Sequence, residues 1–227
     1  MHAETHITSS NLVRDIIIGM SDGLTVPFAL TAGLSGVLDT NHLIIVSGIS
    51  EIAAGCISMG LGGFLAGQTE VEHYDAELKR EYEEVEAVPE IERQEVEAIF
   101  IGMGVDKELS KQVTMQISQD KHKWVDFMMR YELGLDKPDR NRAYKSAITI
   151  ALAYLFGGFI PLFPYLVTSN NQQGFYFSCA ITIIALMIFG YFKSKVTGQP
   201  LLKGTLKVTL TGIIAAIAAY SLAKLIS

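Results

Sequence analysis

Two carboxylates stand where apolar segments must carry them. Asp22 lies in Gly19-Met20-Ser21-Asp22-Gly23, with Pro27 shortly after, and Glu51 lies in Ser47-Gly48-Ile49-Ser50-Glu51. An acid at the centre of a bilayer-spanning helix costs roughly 2.5–3.5 kcal/mol on insertion scales. Such a group faces a water-filled path, takes up protons or binds cations. The plainer alternative is a carboxylate at the interface, or one hydrogen-bonded to an adjacent helix. Along a helix from Glu51, Gly55, Ser58 and Met59 follow at offsets of four, seven and eight, on one broad side. Carboxylate, hydroxyl and thioether in one stripe form a series of stations for a soft-leaning divalent ion.

A second set of acids lies further along the chain. Glu81 and Glu84 are three apart, as are Glu92 and Glu95, while Met128 and Glu132 are four apart. In a helix such pairs share a face, with Cβ atoms ~5–6 Å apart. Two carboxylates so placed can converge on one divalent cation, and facing helices build di-metal sites in bundles this way. No His follows at the matching offset, so the Glu-x-x-His form is absent. Oxygen ligands favour hard or borderline cations, and a thioether beside them shifts preference towards a softer transition metal. Spacing alone leaves a plainer alternative open, because Glu-rich helices commonly have solvated faces. Met128-Met129, beside Phe127 and Trp124, also reads as core. His73 and His122 have no partner at ligand spacing and read as surface residues. Cys56 and Cys179 read as small apolar side chains inside spans rather than as a disulfide or zinc site.

The elements that must position these residues are legible from hydropathy. Mean hydropathy is +0.31 although 19% of the residues are charged, because the charges leave long stretches untouched. Five windows reach the roughly 20 apolar residues that a span requires: about Leu12–Leu38, Leu43–Gly67, Ala143–Val167, Phe175–Tyr191 and Leu202–Ile226. The polar opening Met1–Asn11 and a long first apolar stretch carrying Asp22 do not read as a cleavable leader. Between the second and third windows, residues 68–137 hold 18 acidic and 9 basic residues, a net −9. The remainder is +3 within a whole-chain −6, so the acidity is local and disfavours nucleic acid as a partner. Gln68–Val88 reads as a helix continuing the second span, followed by helices over Glu90–Met103, from Asp106 to about Ile117, and over Asp120–Leu133. Pro89, Gly102, Gly104, Gly134 and Pro138 punctuate them. Val96, Ile99, Phe100, Ile101, Val113, Ile117, Trp124, Phe127 and Met128 supply a small core.

The chain therefore reads as an all-α membrane protein with about five transmembrane helices and an inserted acidic helical domain. Residues 1–67 hold the amino terminus and the first two spans, 68–137 the insert, and 138–227 the last three spans. Lys193, Lys195, Lys203 and Lys207 follow the fourth span, and Arg140, Arg142 and Lys145 precede the third. The other two loops lack Lys and Arg, which places the amino terminus and the insert in the cytosol. Gly33, Gly36, Gly60, Gly62, Gly63 and Gly67 allow close helix approach. A homodimer with the first two spans at its two-fold interface would double each carboxylate around a shared path.

Ser21-Asp22-Gly23-Leu24-Thr25-Val26-Pro27-Phe28 resembles the signature of the vacuolar iron transporter family. Glu51-Ile52-Ala53-Ala54-Gly55-Cys56-Ile57-Ser58-Met59-Gly60 looks like that family too, and the insert and span positions extend the likeness over nearly the whole chain. Length and insert resemble plant-type members; nodulin-like relatives lack the insert. The resemblance implies a homodimeric secondary-active transporter, not an enzyme, spanning the vacuolar membrane several times. It would move cytosolic Fe²⁺ into the vacuole in exchange for lumenal protons. Asp22, Glu51 and Met59 match the family's membrane path. Glu81, Glu84, Glu92, Glu95, Met128 and Glu132 match the ligands of its cytosolic metal-binding domain. Fe²⁺ is then substrate, with no tightly bound cofactor, and Mn²⁺, Co²⁺ or Zn²⁺ can bind ligands of this kind. A metal channel and a membrane-anchored carboxylate di-iron oxidase are the alternatives, the second disfavoured by the missing Glu-x-x-His.

Overall fold

The computed structural model describes residues 11–226. The amino-terminal stretch expected in the cytosol, residues 1–10, lies outside the described residues. Eight helices and no strand are found among those described: α1 Asn11–Ser35, α2 Asn41–Ala87, α3 Pro89–Gly102, α4 Lys107–Ile117, α5 Lys121–Tyr131, α6 Arg142–Val167, α7 Asn171–Val196 and α8 Leu201–Ile226. Five of these, α1, α2, α6, α7 and α8, are long and apolar enough to cross a membrane. The chain forms two compact units. One comprises α1, α2 as far as Leu65, and α6–α8; the other runs from Ala66 to Arg142.

In the first unit, α8 packs on α1 and α7, and α1 also meets α7. α6 is drawn against α1 and α2 by missing side chains. A Cβ at Gly19 would strike Ile150 and Ala153, and one at Gly23 would strike the Tyr154 backbone. On the α2 side, Gly48 meets Leu162, Gly55 meets the Tyr154 ring, and Gly60 lies where a Cβ would be 3.1 Å from Ala151. Lipid tails are as apolar as leucine, so span association depends on such close packing and on a few polar links. Several of those links gather at one end of the helices. The hydroxyls of Ser35 and Tyr165 are 2.7 Å apart, Asn41 Nδ2 donates to the Thr168 carbonyl at 2.6 Å, and Asn171 Nδ2 donates to the Leu38 carbonyl.

α7 is longer than its apolar window, running from Asn171 to Val196. Asn170 caps it, accepting from Gln172 N at 2.8 Å. Lys193 and Lys195 lie in its last turn, where their charge suits the carboxyl end of the helix dipole. Hydropathy missed these turns because their residues are polar while their backbone is helical. Phe156, Ile214 and Leu210 stay exposed on outward faces, as hydrocarbon contact requires.

The second unit is a small helical assembly with its own core. Pro89 opens α3 at its first turn, and Asp106 caps α4 by accepting from Glu108 N at 3.0 Å. Asp120 caps α5, accepting from His122 N at 3.1 Å and Lys123 N at 3.3 Å. Tyr74, Val85, Val96, Trp124, Val125, Met128 and Met129 form the buried cluster, with Phe100, Ile117 and Phe127 packed around it. Ile101, expected in this core, is instead 43% exposed. The inward stripe of α3 runs Glu92, Val96, Phe100 at intervals of four, which turns Ile101 outward. Tyr74, Val85 and Val125 join the core although the sequence reading did not place them there.

Candidate metal centres

The core-facing stripes of the second unit carry more than apolar side chains. On α2, Glu81 lies between Leu78 and Val85; on α3, Glu92 begins the stripe that continues to Val96. Glu132 caps the carboxyl end of α5, its N–H bonded to the Met128 carbonyl at 3.0 Å. Packing the three helices therefore forces the three acids together. One carboxylate oxygen from each of Glu81, Glu92 and Glu132 lies within 4.8 Å of the others. Glu81 is 3% exposed and Glu92 4%, and Glu81 Oε2 is buried without a hydrogen-bond partner. Two oxygens bound to one ion at about 2.1 Å are at most about 4.2 Å apart, so small side-chain rotations suffice to close this cluster on a cation.

Electrostatics points the same way. The carboxyls of Glu81 and Glu92 are each pushed up to about 7, first by burial and then by repulsion from neighbouring acids. Glu132 is raised as well, again by burial first and then by Glu95 and Glu84. Arg80 pairs with Glu84 at 3.1 Å and with Glu77 at 3.6 Å. Burying several carboxylates together without a cation among them is costly, and a divalent ion removes both the repulsion and the desolvation penalty. Of the six residues singled out in this unit, Glu81, Glu92 and Glu132 form the tight oxygen cluster. Glu84 and Glu95 are half-buried within its electrostatic reach. Met128 is wholly buried in the core one turn before Glu132.

In the membrane unit the key side chain is one that the sequence reading passed over. Tyr154 of α6 is 2% exposed, wedged against Gly23 of α1 and Gly55 of α2. Its hydroxyl donates a hydrogen bond to Glu51 Oε1, while Glu51 Oε2 is buried and unpartnered. Asp22 adjoins Gly23, so Asp22, Tyr154 and Glu51 lie at one depth. Met59 stands eight residues beyond Glu51, about 12 Å along the axis of α2. It is half-buried, whereas Ser58 is exposed. The signal for Tyr154 was available: interfacial tyrosines sit near span ends, whereas this one lies twelve residues inside α6, where a hydroxyl needs a partner. Asp15 of α1, also unremarked in sequence, is buried too, at 2% exposure.

Comparison with known proteins adds a further observation. Residues 13–224 match the family model described as the VIT family. The chain is 49% identical over 225 residues to a protein named vacuolar iron transporter 1 from Arabidopsis thaliana, covering 99% of this chain and 90% of that one. It is 47% identical over 223 residues to a protein of the same name from Tulipa gesneriana, covering 98% and 90%. A fungal relative from Arthroderma benhamiae, named vacuolar iron transporter cccA, is 38% identical over 224 residues, covering 95% and 80%.

Proposed function

The chain belongs to the VIT family, and from that membership we propose that it carries ferrous ion out of the cytosol into a vacuole, exchanging it for protons. The observation that supports this reading is the cluster of buried Glu81 and Glu92 with the exposed Glu132, in a chain whose described residues include five membrane-length helices. Similarity to plant relatives named as vacuolar iron transporters supports iron as the cargo and the vacuolar membrane as the location.

In the proposed cycle, residues 68–137 form a cytosolic collector joined to the path through α2. Fe²⁺ displaces protons from Glu81, Glu92 and Glu132, with Glu84, Glu95 and the Met128 thioether completing the donor set. The ion then passes Met59 and Glu51 and reaches Asp22 near the two-fold axis of a homodimer. The thioether favours a softer ion over Mg²⁺ or Ca²⁺ at that step. Tyr154 holds one oxygen of Glu51 and leaves the other open to a proton or a metal. Protons arriving from the acidic side neutralise Asp22 and Glu51, release the metal and reset the carrier.

A proteoliposome assay tests the cycle. Fe²⁺ uptake driven by an imposed proton gradient should be lost in Asp22→Ala and should stop when an ionophore collapses the gradient. Wild-type uptake indifferent to the ionophore would make the protein a channel, and full activity in Asp22→Ala would remove that residue from the path.

A further inference from the structure

The end of the membrane unit opposite the lysine-rich turn between α7 and α8 holds a two-storey cavity that includes none of the residues of the proposed metal path. The upper chamber, about 510 Å³, lies between the α1–α2 and α6–α7 turns, where Ser35, Asp39, Asn170 and Gln172 give it polar walls. Deeper along the helices, an apolar pocket of about 190 Å³ lies between α1, α7 and α8, lined by residues that include Ala32, Cys179, Ile183 and Ile217. Phe175 and Tyr220 line both chambers, and their rings stack 5.7 Å apart as a shared waist.

We propose that this cavity is a lipid site selective for a phospholipid with a primary-amine headgroup, its ammonium at Asp39 and one acyl chain in the apolar pocket. The order of the chambers follows membrane depth, polar at the helix ends and apolar towards mid-span. A water-soluble ligand would leave the lower chamber unfilled, and its described lining offers a metal ion no carboxylate. The lower pocket opens on a flank where Ile217 is 60% exposed, the side from which a hydrocarbon chain enters. Charge selects the headgroup: among the described residues, Asp39 is the one charged residue lining either chamber, which favours an ammonium and disfavours a net anionic lipid. The Lys224 ammonium stands 5.4 Å from the centre of the Tyr220 ring, supplying positive potential for the phosphate of the same zwitterion.

The test is native mass spectrometry of the full-length protein taken from vesicles holding equal phosphatidylethanolamine, phosphatidylcholine and phosphatidylglycerol with matched chains. Phosphatidylethanolamine should be retained over each of the others by up to about five-fold, the scale of one partly exposed ion pair. Asp39→Asn should abolish the preference. Ile217→Trp, which adds bulk at an exposed rim position, should lower retention of every class while circular dichroism stays unchanged. Equal retention of the three lipids by the wild type, a preference that survives Asp39→Asn, or retention indifferent to Ile217→Trp would each overturn the proposal. Metal uptake is not a readout here, so the transport reading stands or falls separately.

Discussion

Tyr154 concentrates the chemistry of the membrane unit in one hydroxyl. It is buried, it contacts glycines of two other helices, and it donates to Glu51. A hydrogen bond to a charged group contributes about 1.5–3 kcal/mol, so Tyr154→Phe should slow gradient-driven Fe²⁺ uptake by roughly ten-fold or more. Its melting temperature in detergent should fall as well, because buried Glu51 loses its hydrogen-bond partner although the ring still fills the gap; an unchanged uptake rate would remove the hydroxyl from the mechanism. In the acidic unit, Glu81→Gln combined with Glu92→Gln keeps shape and removes charge. Calorimetry should show Fe²⁺ affinity weakened by at least the 10–100-fold typical of disturbed metal sites. The same double variant should melt higher than wild type when no metal is present, because repulsion and charge burial are both relieved. A lower metal-free melting temperature would mean the carboxylates are stabilised by something other than a cation.

At the scale of elements, the seams around α6 depend on positions with no room for a methyl group. Gly55→Ala drives a Cβ into the Tyr154 ring and should cost about 1–3 kcal/mol through overpacking. Gly62 faces open space on the same helix, and Gly62→Ala should be neutral or stabilising by up to about 1 kcal/mol through helix propensity. Melting the two variants side by side checks the seam, and equal behaviour would contradict it. The helices themselves were largely legible in sequence: all five spans, the continuation of α2, and helix starts at Asp106 and Asp120 follow from local chemistry. The partners of each helix were not. Nothing in the apolar run of α6 states that Tyr154 meets both Gly23 and Gly55, because side-chain period gives a face and not its neighbour. The same limit misplaced Ile101, whose apolar character says nothing about which stripe of α3 turns inward. Spacing within one helix likewise could not choose among the acids: Glu81 with Glu84, and Glu92 with Glu95, looked equivalent. Helix packing separates them, burying the first of each pair and leaving the second half-exposed.

For the whole molecule, the raised carboxyls of the acidic unit set a pH dependence whose sign is fixed. Glu81 and Glu92 hold their protons up to about 7 when folded, against an ordinary value of 4.5. The folded state therefore binds more protons than the unfolded state between those values, and metal-free stability falls as pH rises through that window. With saturating divalent metal the trend should reverse, because the ion requires the deprotonated ligands and stabilises the folded state by mass action. Melting curves from pH 5 to 8, with and without metal, check both slopes; parallel curves would separate these acids from metal binding. The same near-neutral protons bear on physiology. A collector that trades protons for iron near pH 7 loads less as its surroundings acidify, and each turn of the proposed exchange delivers protons to the side where loading occurs. On the proposed function, rapid export would thus reduce its own supply, and the cluster would act as a throttle on the carrier.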